Sequence, residues 1–153
     1  MRLTRRQYIK LFGGAVLSTH FGLKASEAKP LSLEAYEGKI VLADFWASWC
    51  VPCKKSFPWL NQIADKYKDH GLIVLGVNVD ARKSDAEGFL RQHRANFPII
   101  FDPEGVHASF YDIQGMPSSL LFSQRGEVIH RHVGFVSGQE AEYEAAVKKA
   151  LNV

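Results

Sequence analysis

Two cysteines, Cys50 and Cys53, are the residues whose type and spacing best suit chemistry in this sequence. A pair this close closes too short a loop to stabilise a fold as a structural disulfide. The same spacing occurs both in redox dithiols and in zinc sites. Zinc normally takes four ligands, and the sequence has no second cysteine pair or spaced Cys/His pair to complete the set. The spacing therefore favours a redox dithiol, with half of a zinc site as the alternative.

The segments on either side of the cysteines predict how the chain positions them. Residues 39–46 form a nearly continuous apolar run, which predicts a strand buried on both faces. Downstream, apolar residues recur at helical spacing: Phe57, Leu60, Ile63, Ala64 and Tyr67. A thiol at such a strand–helix junction lies beside free backbone N–H groups, which lower its pKa. We therefore predict that Cys50 is the nucleophile and that Cys53, one turn further in, is the more buried resolving thiol.

The rest of the sequence predicts an α/β fold. Apolar runs predict further strands at 72–79, 98–102, 118–122 and 127–133. Capping boxes at 84–87 and 137–140 predict the starts of two more helices. The order is βαβ, then a helix–strand insertion, then ββα. Because a strand–helix–strand unit gives a parallel pair and a hairpin an antiparallel one, we predict a central mixed sheet flanked by helices.

The first 28 residues differ in composition from the rest. They hold five basic residues against one acidic residue, which accounts for the formal net charge of +3 and removes the support for nucleic-acid binding. Residues 4–10 resemble a twin-arginine export signal, and the apolar stretch at 11–23 is shorter than the ~20 residues that span a bilayer. We predict an export signal at 1–28, a domain at 29–153, and a periplasmic or otherwise extracytoplasmic location. A non-exported arm and an uncleaved anchor are the alternatives.

Two segments together resemble the signatures of the thioredoxin superfamily. Residues 41–55, with Pro58 five positions beyond the second cysteine, are similar to its active-site segment. Residues 115–119, Gly-Met-Pro-Ser-Ser, are similar to the loop in which a cis-proline faces the cysteines. The resemblance covers roughly residues 31–151 and implies a thioredoxin-like fold. The extra helix and strand at 84–102, the leader and the Val-Pro dipeptide further resemble the TlpA/ResA-type branch of extracytoplasmic thiol–disulfide oxidoreductases.

The resemblance implies that Cys50, Cys53 and Asp44 are the catalytic residues. Asp44 lies six residues before Cys50, where thioredoxins keep a buried aspartate beneath the second cysteine. Burial raises the pKa of a carboxyl, so Asp44 is expected to exchange a proton with Cys53. The alternative is a paired surface carboxylate, which the apolar flanks disfavour. Thioredoxins often place a lysine near this aspartate, but Gly76 stands there, so Asp44 should be still harder to ionise.

The resemblance also implies four substrate-binding residues, namely Trp49, Pro52, Met116 and Pro117. If Pro117 is cis, it exposes the backbone of Met116 to pairing with an extended substrate segment; the alternative is an ordinary turn proline. Trp49 is expected to shield the cysteines and to contact partners, whereas Trp46 is expected to pack in the core. Pro58 is expected to kink the active-site helix.

Members of this branch reduce disulfides in exported partner proteins and support cytochrome c maturation or the metallation of oxidases. Strong oxidases often carry a histidine between their cysteines and lower the thiol pKa to ~3.5, whereas Val51-Pro52 supplies no cation. We therefore expect a protein-disulfide reductase, a monomer without a cofactor, that receives electrons from a membrane thiol–disulfide donor. The alternatives are a dithiol oxidase or isomerase, a copper chaperone, a thiol peroxidase and a binding module without redox chemistry.

His130 and His132 are the remaining candidates for chemistry. They alternate on a predicted strand and therefore share one face of it. With no third ligand nearby in sequence, they are predicted to be a solvated pair at the sheet edge rather than a copper or zinc site.

Overall fold

The computed structural model describes residues 27–153, so residues 1–26 of the predicted export signal lie outside the described part. The strands are β1 Ile40–Trp46, β2 Leu72–Asn78, β3 Ile99–Phe101, β4 Ser118–Phe122 and β5 Val128–Val133. The helices are α1 Val51–Tyr67, α2 Lys83–Gln92, α3 Val106–Phe110 and α4 Glu140–Leu151, with single 3-10 turns at Glu34–Tyr36 and Lys68–His70. In residues 27–153, no helix has the length and apolar character needed to cross a membrane.

The five strands form one mixed sheet in the order β3-β2-β1-β4-β5. Strand β1 is parallel to β2, and β2 is parallel to β3. Strand β4 runs antiparallel to both β1 and β5. The predicted mixed sheet is therefore confirmed. Helix α2 and strand β3 are the insertion between the two halves, and β3 extends the parallel edge of the sheet.

Strand β1 lies at the centre of the sheet, and all seven of its residues are buried. Alternate side chains point to opposite faces, so this strand contributes to two cores. Leu42 and Trp46 pack with α1, while Val41, Ala43 and Phe45 pack in the core on the opposite face, together with residues of α3. Burial on both faces explains why the sequence of β1 is an apolar run rather than an alternating one.

Trp46 is fully buried, as predicted. Its ring contacts Phe57 on α1 and Phe89 on α2, with ring centroids 5.0 Å and 4.7 Å away. These aromatic contacts join the end of β1 to both helices. The strand end that leads into the cysteine segment is thereby held on the core.

Two capping boxes predicted from the sequence are wrong. The N-cap of α2 is Arg82, which makes no side-chain capping bond, and Ser84 lies inside the first turn. The guanidinium of Arg82 instead pairs with Asp85 at 2.9 Å. Helix α4 begins after Gln139, and the carboxylate of Glu140 accepts a hydrogen bond from the N–H of Gly138 at 2.7 Å. In both places a local side-chain pairing replaces the predicted serine cap.

Candidate active site

The cysteine pair lies where β1 leads into α1, at the predicted strand–helix junction. Cys50 is the N-cap of α1, with extended backbone, and Pro52 lies in the first turn. The two cysteines form a disulfide with their Cα atoms 5.3 Å apart. The N–H of Cys53 donates to the sulfur of Cys50 at 3.2 Å. In the reduced chain the same N–H and the positive end of α1 stabilise a thiolate on Cys50.

The cysteines are covered, but the residues beside them are not. Cys50 and Cys53 are 3% and 0% exposed, so Cys53 is the more buried of the two, as predicted. Trp49 is 70% exposed and Val51 is 62% exposed. Most of the Trp49 side chain is therefore free to contact a partner, and little of it can serve the predicted shielding of the cysteines.

A buried carboxylate holds the loop that precedes Cys50. Asp80 is 4% exposed and follows the end of β2. It accepts hydrogen bonds from the N–H and the hydroxyl of Ser48, both at 2.9 Å, and from the Asn78 side-chain amide at 2.7 Å. This contact was not predicted from the sequence. Its signal in the sequence was the polar pair Asn78 and Asp80 at the end of a buried strand. The carboxyl ends of the parallel strands β1 and β2 lie at the same edge of the sheet, so these side chains reach the loop that follows β1.

Asp44 lies on the central strand and is 1% exposed, so the alternative of a surface carboxylate is wrong. One carboxylate oxygen accepts a hydrogen bond from the hydroxyl of Ser119 at 2.7 Å. The other, Oδ2, is buried and has no hydrogen-bond partner among the described residues. Burial raises the pKa of Asp44 to about 7, and the hydrogen bond from Ser119 only partly opposes this effect. Asp44 can therefore both accept and release a proton near neutral pH.

Gly76 pairs with Asp44 across β1 and β2. A Cβ atom at Gly76 would lie 2.7 Å from a side-chain atom of Ile99, and 3.0 Å from atoms of both Phe97 and Trp46. The space that a lysine would need is occupied by this apolar packing. No cation from this position therefore lowers the pKa of Asp44.

The peptide bond between Met116 and Pro117 is cis. The carbonyl of Pro117 accepts a hydrogen bond from the N–H of Gly134 at 2.8 Å, and the Ser118 hydroxyl donates to the carbonyl of Gly115 at 2.7 Å. These bonds hold both sides of the loop. The backbone of Met116 makes no hydrogen bond to other backbone groups within residues 27–153.

His130 is exposed, but His132 is only partly so. The Nε2 atom of His132 is buried and has no hydrogen-bond partner among the described residues, so the prediction of a solvated pair is wrong for His132. The cause is the packing of α4, since the ring of Tyr143 lies 4.3 Å from the His132 ring, centroid to centroid. Within residues 27–153, no three His, Cys, Asp or Glu side chains are grouped so that they could hold a metal ion.

Comparison with known proteins agrees with this geometry. The AhpC/TSA family matches residues 17–131. The thiol-disulfide oxidoreductase ResA of Bacillus thuringiensis subsp. konkukian is 30% identical over 116 residues, covering 76% of this chain and 67% of that protein.

Solved structures that are similar to this chain also belong to thiol–disulfide proteins. A Chlorobium tepidum structure described as a thiol:disulfide interchange protein DsbE is 44% identical, with a TM-score of 0.76, covering 79% of this chain and 86% of that one. StoA from Bacillus subtilis is 26% identical, with a TM-score of 0.62, covering 71% and 84%. The chain therefore belongs to the AhpC/TSA family and is a thioredoxin-like thiol–disulfide oxidoreductase of the ResA and DsbE type.

Proposed function

We propose that this oxidoreductase works as a reductase of disulfides in exported partner proteins. The observation that carries the proposal is the position of Cys50 at the N-cap of α1, with the N–H of Cys53 donating to its sulfur. Such a thiol is ionised more easily than a free cysteine and is the attacking group in disulfide exchange.

The exchange takes two steps. The Cys50 thiolate attacks one sulfur of the substrate disulfide, so that the substrate S–S bond breaks, a mixed disulfide forms and one substrate thiolate leaves. Cys53 then gives its proton to Asp44 and attacks the Cys50 sulfur, releasing the second substrate thiolate. The two electrons that reduce the substrate come from the dithiol, which ends as the Cys50–Cys53 disulfide. A membrane thiol–disulfide donor restores the dithiol for the next cycle.

The charges around the cysteines favour this direction. Neither Val51 nor Pro52 carries a charge, and Lys54 and Lys55 are exposed on α1, where water screens them. Ionised Asp44 would disfavour a thiolate through like-charge repulsion. A thiolate that is stabilised only moderately makes the dithiol a good electron donor, because strong stabilisation of the reduced form produces an oxidase.

Substrate recognition is proposed to involve Trp49, Pro52, Met116 and Pro117. The free backbone of Met116 suits pairing with an extended substrate segment. The Trp49 ring, which is 70% exposed, supplies apolar surface directly beside Cys50. The substrate class that fits this surface is an extended, partly apolar polypeptide segment that carries a disulfide.

The experiment that tests the proposal is trapping in the cell. In a Cys53→Ala variant the second step is blocked, so exported proteins should accumulate as mixed disulfides on Cys50 that a reductant releases. The matched control is Cys50→Ala, which keeps one thiol but loses the attacking group and should trap nothing. The proposal is wrong if the two variants trap the same proteins, or if Cys53→Ala traps none.

Export is tested separately. We propose that residues 1–28 direct the chain out of the cytoplasm by the twin-arginine route. Replacing Arg5 and Arg6 by lysine should leave the chain in the cytoplasmic fraction. Unchanged export of this variant would contradict the twin-arginine assignment without affecting the chemistry proposed above.

A further inference from the structure

A row of polar side chains crosses the sheet beneath the active site. Asp44 on β1 lies directly opposite Ser119 on β4, and Ser119 lies directly opposite His132 on β5. Residues directly opposite one another on neighbouring strands point to the same face of a sheet, with Cβ atoms about 5 Å apart. The three side chains therefore lie side by side on the face that α1 and α4 cover.

This row borders a small cavity between the sheet and these two helices. Ser56 and Trp59 of α1 and Tyr143 of α4 also line it. The cavity has a volume of about 20 Å³, which is room for one water molecule. Ser56 follows Cys53 by one turn of α1, and its hydroxyl donates to the carbonyl of Cys53 at 3.1 Å. The cavity thus adjoins the turn that carries the resolving cysteine.

Three buried polar atoms belong to residues that line this cavity and have no hydrogen-bond partner among the described residues. They are Oδ2 of Asp44, Nε1 of Trp59 and Nε2 of His132. Buried polar atoms are almost always paired, and an internal water typically makes about three hydrogen bonds to such atoms. The carboxylate oxygen accepts, the indole N–H donates, and an imidazole nitrogen can do either. One water molecule can therefore satisfy all three.

We propose that a water molecule in this cavity joins Asp44, Trp59 and His132, and that His132 passes the proton of Asp44 to solvent and back. The proposal rests on the proposed role of Asp44 as the acid–base partner of Cys53. It adds a second proton-transfer residue, 88 positions further along the chain.

Such a route gives the buried carboxyl an exchange path with solvent. After Cys53 gives its proton to Asp44, the carboxyl can keep that proton until re-reduction or release it, and release needs a path because Asp44 is 1% exposed. His132 takes the proton at its buried Nε2, through the water, and releases a proton from its other ring nitrogen. Only a proton moves along this path, and the electrons stay on the sulfur atoms. During re-reduction the proton travels in the opposite direction.

The titratable side chains that line the cavity are Asp44 on β1, His130 and His132 on β5, and Tyr143 on α4. The hydroxyl of Tyr143 is already engaged, since it accepts from the N–H of Val136 at 3.0 Å and contacts the Gln139 side chain. His130 lies opposite Leu121 rather than Ser119 and is exposed. His132 is therefore the residue placed to connect Asp44 with the surface.

The test compares His132→Gln with His130→Gln, a matched change on the same face of the same strand. The reduced full chain is mixed with oxidised glutathione, and the rate at which Cys53 resolves the mixed disulfide on Cys50 is measured by rapid chemical quench from pH 5 to 9. Because acid–base assistance is worth 10²- to 10⁴-fold, His132→Gln should slow resolution at least about tenfold near pH 7. The reduction potential should stay unchanged, since a proton route alters rates and not equilibria. His130→Gln should match the unmodified chain.

A second variant separates proton transfer from packing. His132→Ala opens the cavity, so added imidazole should restore the resolution rate at least fivefold. The proposal is overturned if His132→Gln resolves within twofold of the unmodified chain at all pH values, if both glutamine variants slow equally, or if imidazole restores nothing. Failure of the proposed reductase direction would appear instead as a high reduction potential of the unmodified chain. The resolution rates remain measurable in either case.

Discussion

Replacing Asp44 by asparagine should remove a strong pH dependence of stability. The buried carboxyl has a pKa of about 7 in the folded chain, against an ordinary value of 3.8. Between these pH values the folded chain binds a proton that the unfolded chain does not, so the free energy of unfolding falls as the pH rises. Each pKa unit is worth about 1.4 kcal/mol, so the loss approaches about 4 kcal/mol above pH 7. An asparagine side chain at this position does not titrate and would avoid this loss.

The assay is urea denaturation of the oxidised chain at constant ionic strength, at half-unit steps from pH 4 to pH 8. Asparagine keeps an acceptor for the Ser119 hydroxyl, so any constant offset between the variants is separate from the slope. The free energies of the two chains should diverge in favour of Asp44→Asn as the pH rises through this window, and run parallel above it. The control Asp69→Asn changes an exposed aspartate and should run parallel to the unmodified chain throughout. Parallel curves for Asp44→Asn would refute the burial argument.

Three further substitutions test other contacts. Ser48→Ala removes a hydrogen bond to the Asp80 carboxylate and should lower the free energy of unfolding by about 1.5 kcal/mol in urea denaturation; no change would show that this contact does not hold the loop. Gly76→Ala places a Cβ against Ile99 and Trp46 and should lower the free energy of unfolding by about 1–3 kcal/mol. An unchanged free energy would show that the neighbouring side chains move aside without cost. Trp49→Ala should lower kcat/KM for an unfolded disulfide protein about tenfold more than for oxidised glutathione, and equal losses would contradict its recognition role.

The strands of the sheet are predicted closely because each is marked by an apolar run within its own segment of the sequence. Strand β1 is predicted to begin at residue 39 and begins at Ile40, since an apolar run buried on both faces is hard to place elsewhere. The helix starts are less well predicted. Serine caps compete with other local hydrogen bonds, and near α2 the pairing of Arg82 with Asp85 prevails. Such competition among neighbouring side chains depends on backbone geometry that a sequence pattern does not contain.

In the candidate site, too, some features could be predicted from the sequence and others could not. The positions of Cys50 and Cys53 follow from their spacing and from the strand–helix junction, and the burial of Asp44 follows from its apolar flanks. Its partner Ser119 lies 75 residues away, and Asp80 reaches Ser48 across 32 residues. The burial of His132 depends on how α4 packs on β5. These contacts arise from the sheet order, which brings distant segments together only after folding.

The claim that this oxidoreductase is a reductase is tested most directly by the reduction potential of the Cys50–Cys53 pair. It can be measured by equilibrating the full chain with dithiothreitol buffers at pH 7 and counting free thiols. Because Val51 and Pro52 carry no charge and Asp44 is buried, we predict a reduction potential near that of thioredoxin, about −270 mV. A value near about −120 mV, typical of a strong disulfide oxidase, would contradict the account.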